Sequence, residues 1–168
     1  MYTNFSETIF NKGIIFNNIT FNNYANFSKT ILYEDVSFNN VIFITVDFKE
    51  TIFNNKSTFI ENIFDEKTNF NETIFKRKTF LINCKVINLQ LENINFSEKS
   101  YFEIRNTSFI ELVLSDFINH TNNFLISDVK ILKKLEIKKC VLNNMKFTNC
   151  DFSEKICPSP FEKKSKIS

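Results

Sequence analysis

The sequence predicts an all-β solenoid. Short parallel strands make four faces of a square coil of 20 to 22 residues, stacked about seven coils high. Three observations predict it. Phe recurs at steps of five and six over most of the chain. The position two before each Phe is small or β-branched, and in an extended strand residues i and i−2 share a side. The chain has 22 Phe but only 1 Gly, 2 Pro and no Trp, so its interior is aromatic and its corners are not built from glycine. A helix would instead space its apolar residues by three and four.

The beat starts at Phe5 and Phe10 and continues through Phe16, Phe21, Phe27, Leu32, Phe38, Phe43, Phe48, Phe53, Phe59 and Phe64. The segment NFNETIFKRKTF, from Asn69, adds Phe70, Phe75 and Phe80. The later centres are Val86, Leu91, Phe96, Phe102, Phe109, Leu114, His120, Ile126, Ile131, Ile137, Leu142, Phe147 and Phe152. These 28 centres take 19 of the 22 Phe, where about four would fall by chance. Grouped by four, they form columns such as Phe16, Phe38, Phe59, Phe80, Phe102, Ile126 and Phe147. Such columns predict side chains stacked coil on coil at about 4.8 Å. The inner positions stack as well: Thr8, Thr30, Thr51 and Thr73 form a ladder that continues as Ile94, Ile118 and Cys140. Buried hydroxyls there must bond each other or the backbone. The pairs Asn17 and Asn18, Asn22 and Asn23, Asn39 and Asn40, and Asn54 and Asn55 follow centres. Asn tolerates turn geometry and bonds its own backbone, so these residues are expected at the corners.

The segments NFSETIF, DFKETIF and NFNETIF resemble the pentapeptide-repeat family in its Phe-rich variant with alternating five- and six-residue steps. The resemblance implies a right-handed quadrilateral parallel β-helix, the hand that parallel crossovers take by default. The repeat domain is placed at residues 1–152, regular over 1–80 and irregular over 81–152. The seven-residue step from Phe102 to Phe109 predicts a bulge near 103–106. The stretch SDFINHTNNF, which sets His120 on a centre, predicts a loop at 115–124. Lys78 and Asn62 fall on inner positions, where a charge or an unsatisfied amide is costly. Residues 153–168, with both prolines and a basic end, are expected to form a cap or a flexible tail.

Function is bounded mainly by exclusion. His120 is the one histidine, with no carboxylate pair or Cys partner near it in sequence. Cys84, Cys140 and Cys150 sit on inner positions as small apolar fillers, and only Cys150 and Cys157 could meet, if the tail folds back. There is no CxxC pair, phosphate-binding glycine loop or Ser/His/Asp constellation. No catalytic, cofactor-binding or metal-ligating residue is therefore assigned. The Asn-x-Ser/Thr sites at Asn4, Asn18, Asn26, Asn55, Asn71, Asn95, Asn106 and Asn119 arise from the repeat's own preferences. The basic groups at 76–78, 133–134 and 138–139 read as solvated surface rather than a nucleic-acid site. No apolar run reaches about 18 residues, and the first ten residues lack the regions of a signal peptide. The expectation is a cytoplasmic protein with reduced thiols and no membrane contact. Residues 1–72 carry 5 Lys and 9 acids, a balance of −4, while 73–168 carry 16 Lys/Arg and 10 acids, a balance of +6.

The function expected is a non-catalytic protein-interaction or scaffold module. The alternative is a DNA mimic acting on a type II topoisomerase, an activity the resemblance offers but a net charge of +2 does not favour. The partner expected is an unidentified protein or a second copy. The homodimer would form through the N-terminal coil, with Tyr2, Phe5 and Phe10 buried at the contact.

Overall fold

The computed structural model describes residues 2–116, 118, 119, 124–142 and 145–152, with the backbone alone described at 118, 119, 141 and 142. All regular structure among them is β-strand, and every ladder is parallel. The strands fall on four faces. Face one carries Thr3–Asn4 and the second halves of long strands such as Ile42–Asp47 and Ile63–Asn69. Face two is a five-stranded sheet, Ile9–Phe10, Ile31–Leu32, Ile52–Phe53, Ile74–Phe75 and Asn95–Phe96; the pair Ile118–Asn119 and Val141–Leu142 forms its own ladder. Face three has seven strands, from Ile14–Asn17 to Met145–Thr148. Face four is the first half of the same long strands that supply face one. The chain thus climbs about six turns between its first and last coil, close to the seven coils predicted.

Side chains alternate as the two-residue period requires. Centres and inner positions point in, and the residue between them points out. Phe38, Phe43, Phe48, Phe53, Phe59 and Phe64 are each at most 1% exposed. Rings in one column stack with a small tilt: Phe16 on Phe38 at 4.8 Å, Phe38 on Phe59 at 5.0 Å and Phe53 on Phe75 at 5.1 Å. Rings in different columns meet edge to face, as Phe27 and Phe38 do at 5.7 Å and 90°. Both geometries are favourable for the ring quadrupole, so one aromatic lattice fills the lower coils. Above it the centres turn aliphatic, with Leu81, Val86, Leu91, Ile104, Leu114 and Ile126 buried.

Opposite corners share one device. Every coil has a residue with positive φ two after its face-one centre and another two after its face-three centre, from Glu7 and Asn18 to Lys139 and Asn149. Eight of these 14 are Asn or Asp, the residues that tolerate this region best. None is glycine: Gly13, which a Cβ would bring to 3.2 Å from the Asp35 carbonyl, has an ordinary φ. Asn18 and Asn40 occupy these positions as expected, whereas Asn22, Asn23, Asn54 and Asn55 do not. The corner between faces four and one is different. There the strand continues through a register shift, for example between Phe21 and Tyr24.

The face-one corner explains the recurring (Asn/Asp)-Phe-x-x-Thr. The Asn4, Asn26, Asp47 and Asn69 side chains accept from the amides of Ser6, Ser28, Lys49 and Asn71 at 2.8–3.0 Å. The Thr amide then donates to the Phe carbonyl three residues back, as Thr51 does to Phe48. The buried Thr hydroxyl donates one coil down, Thr30 to Phe5, Thr51 to Phe27 and Thr73 to Phe48, at 2.7–2.9 Å. The threonine ladder therefore bonds the backbone rather than itself.

Several expectations are corrected. Phe80 is not a centre: Phe59 pairs with Leu81, which pairs with Ile104. A one-residue slip exchanges the inward set, and here it buries Thr79 and Leu81 and frees Lys78, which is exposed. Burying Phe80 would have buried Lys78 as well. Phe102 is likewise an inner residue, opposite Thr79 and Phe124, with Ile104 as the centre. The irregular step therefore does not lie at 103–106, since Tyr101–Arg105 is an unbroken strand; the extra residues are at 97–100, where the Ser100 amide and hydroxyl both donate to the Ser97 carbonyl. Asn62 is fully buried as expected but bears no unsatisfied amide: Oδ1 accepts from the Val41 amide at 2.8 Å and Nδ2 donates to the Phe38 carbonyl at 3.0 Å. Finally, Ile118 pairs with Val141, not with Cys140. His120, most of the 120–124 stretch and the tail 153–168 lie outside the described residues.

Candidate interaction surface

Since the inward positions are filled by packing, chemistry available to other molecules lies on the outward positions and corners. The basic groups singled out in the sequence have separate fates. Lys134 and Lys138 both contact Glu136, holding its carboxyl below the usual range, and Lys139 lies 3.4 Å from Asp116. Lys76 and Arg77, by contrast, line a shallow depression with Asn54, Ser97, Glu98 and Lys99. The displaced 97–100 step builds its wall: Ser97 Oγ donates to the Lys76 carbonyl at 2.8 Å, and Lys76 Nζ donates to Asn54 Oδ1 at 2.8 Å. Three cations beside one carboxylate make a polar, cationic corner without a nucleophile and base in register.

That corner borders face two, where the outward residue before each centre is isoleucine in four successive coils. Ile9, Ile31, Ile52 and Ile74 are paired strand to strand, followed by Asn95. Ile31, Ile52 and Ile74 are half-buried, and Ile9 is 53% exposed. The outward residue after each centre is Asn11, Tyr33, Asn54, Lys76 or Ser97, with Tyr33 50% exposed. Regular coil pitch makes this ladder straight, and the Asx turns fix the corner beside it. Sequence reading missed the ladder because it scored only the inward positions; the recurring Thr-Ile-Phe and Thr-Ile-Leu carried the signal.

The remaining candidates are structural. Cys84 is buried, its thiol pushed up to about 12 by burial, with Sγ 3.4 Å from the Phe59 carbonyl. Cys140 and Cys150 are half-buried, and no disulfide joins the described cysteines. Among the described residues no group of three or more His, Cys, Asp or Glu is placed to hold a metal, and no helix is long and apolar enough to cross a membrane. On face three, Tyr101 donates to Glu103 at 2.8 Å and Arg105 lies 3.4 Å from it, which satisfies an almost buried carboxylate. Phe80 packs its ring on Tyr101 at 5.8 Å, with Lys56 Nζ 5.7 Å from its centroid.

The family model for pentapeptide repeats (9 copies) matches residues 5–52. No curated protein and no solved structure matches the chain. The matched residues form the lowest coils of the rod, and the face-three and face-four columns continue above them to Phe147 and Phe152. Residues 5–52 are thus similar to the pentapeptide-repeat family, and the parallel ladders carry the same architecture beyond them.

Proposed function

We propose that the protein is a non-catalytic interaction module, a rigid rod that presents flat faces to other proteins. The observation that carries this reading is the outward ladder of Ile9, Ile31, Ile52 and Ile74 beside the exposed Tyr33. An apolar strip rimmed by charge is what a protein partner can cover, and solenoids commonly bind through such repeated surfaces. The N-terminal coil is the second contact expected of the same module: Phe5 and Phe10 are only half-buried there, and the charges of Glu7 and Lys12 offset each other. A DNA mimic needs a continuous acidic surface, and the corner at 76–78 is basic.

Immobilised protein and its Ile52→Lys variant test the reading, with far-UV circular dichroism as the check on folding. A defined partner retained by the parent and lost at least tenfold by the variant is the expected result. Inhibition of topoisomerase supercoiling at stoichiometric concentration, unchanged by Ile52→Lys, would contradict it.

A further inference from the structure

In coils two and four the charges on the two corners that border face two form a checkerboard centred on its middle strand, Ile52–Phe53. In coil two the corner before the face carries Lys29 and the corner after it carries Glu34 and Asp35. In coil four the signs are reversed: Glu72, which also lies 3.3 Å from Lys49 of coil three, is before the face, and Lys76 and Arg77 are after it. All of these side chains are exposed. One coil further out, Lys12 in coil one is matched by Glu98 in coil five, with Lys99 beside it reducing that contribution, while on the other corner Glu7 and Glu92 are alike in sign.

From this pattern we propose that two copies of the chain associate through face two as an antiparallel, two-fold dimer, with the axis along the strand direction at Ile52. The inference rests on the reading of the rod as an interaction module. The operation lays coil two of one copy on coil four of the other and keeps each corner opposite its own counterpart. Glu34 and Asp35 then meet Lys76 and Arg77, twice over, and Lys29 meets Glu72. Ile31 meets Ile74, and Ile52 meets itself. Tyr33 lies opposite Lys76, a cation over an aromatic ring. Lys56 sits at the height of the axis, but its ammonium is turned to the Phe80 ring on face three.

The other face-to-face arrangement has its axis along the rod, with the two rods parallel. It also pairs unlike charges, Lys29 with Glu34 and Glu72 with Arg77. It exchanges the two sides of the face, however, so Ile52 would cover Asn54 and Ile74 would cover Lys76. Charge alone leaves both open, and the apolar ladder selects the antiparallel one. Face two spans four coil steps, about 19 Å. A contact of this size lies below about 1,200 Å² in total and is weak, so it forms at high protein concentration and low salt.

Charge reversal tests the arrangement. Variant one is Glu34→Lys with Asp35→Lys, and variant two is Lys76→Glu with Arg77→Glu; all four residues are exposed, and circular dichroism checks the folding of each. Sedimentation equilibrium is run on each alone and on an equimolar mixture. The expected result is a parent dimer weakened at least tenfold by added salt, two variants that are each monomeric, and a mixed dimer of the two. The mixture restores pairing only if coil two lies on coil four, since in the parallel arrangement the two lysines introduced by variant one would still face Lys29. Three results would overturn the proposal: a monomeric parent at about 1 mM and low salt, a dimer that both variants retain, or a mixture that stays monomeric. A dimer retained by both variants would point to end-on contact through the first coil. A monomeric parent would leave capture of a different protein, and its loss on Ile52→Lys, as a separate result.

Discussion

Thr51 shows how little slack the single positions have. Its hydroxyl reaches the Phe27 carbonyl at 2.7 Å, and that carbonyl also accepts the Thr30 amide. Thr51→Val keeps the shape and removes one of two bonds, so the expected cost is about 1 kcal/mol in urea unfolding. The positive-φ corners run the other way. Glu61, at φ 58°, holds a conformation that costs a side chain with a Cβ about 1–2 kcal/mol. Glycine removes that strain but loses more backbone entropy, so Glu61→Gly should raise stability by up to about 1 kcal/mol in the same experiment. Cys84 makes stability depend on pH. Its thiol is raised from 9.0 to about 12 by burial, so the unfolded chain loses the proton first. The contribution is complete below pH 9 and is lost as pH rises toward 12. Tyr101, also raised to about 12 by burial and by its bond to Glu103, acts in the same direction. Cys84→Ala should flatten the fall in stability above pH 9, and Cys84 in the folded parent should resist alkylation at neutral pH.

At the level of one corner, Asp47 joins three parts. Its Oδ1 accepts from the Lys49 amide and from Asn69 Nδ2, and its Oδ2 accepts from Tyr24. Asp47→Ala should cost about 2 kcal/mol, while Asp47→Asn, which keeps the carbonyl acceptor, should cost less than half as much. The faces were readable from sequence over the regular lower coils. From Phe5 to Phe75 the predicted columns and the ladders agree residue for residue. The reading slipped at KRKTFLINC because it followed the ring. Phe80 and Leu81 are both apolar, and the neighbours two before them decide: Lys78 resists burial and Thr79 accepts it. At Phe102 the inward pair is Phe and Ile, so the expectation of one large and one small residue failed. The charge pattern around face two was hidden for a different reason. The pair Lys29 and Glu34 lies far in sequence from the pair Glu72 and Arg77, and halves of the chain are the wrong unit in which to count them. Only the coil register brings them to one surface.

For the rod as a whole, each coil rests on its neighbours alone, so protection should follow packing. Amide exchange should be slowest over residues 27–75, where every centre but Leu32 is a buried Phe, and faster over 145–152, where Phe147, Cys150 and Phe152 are only half-buried. The outward surfaces depend on this register, because one residue of slip would bring the inward set to the outside. Equilibrium urea unfolding of Phe59→Ala beside Phe80→Ala tests that register most directly. Phe59 is 1% exposed and stacked on Phe38 at 5.0 Å, whereas Phe80 lies outside against Tyr101. The register predicts a loss of about 3–5 kcal/mol for Phe59→Ala and about 1 kcal/mol or less for Phe80→Ala. Equal losses at the two positions would contradict it.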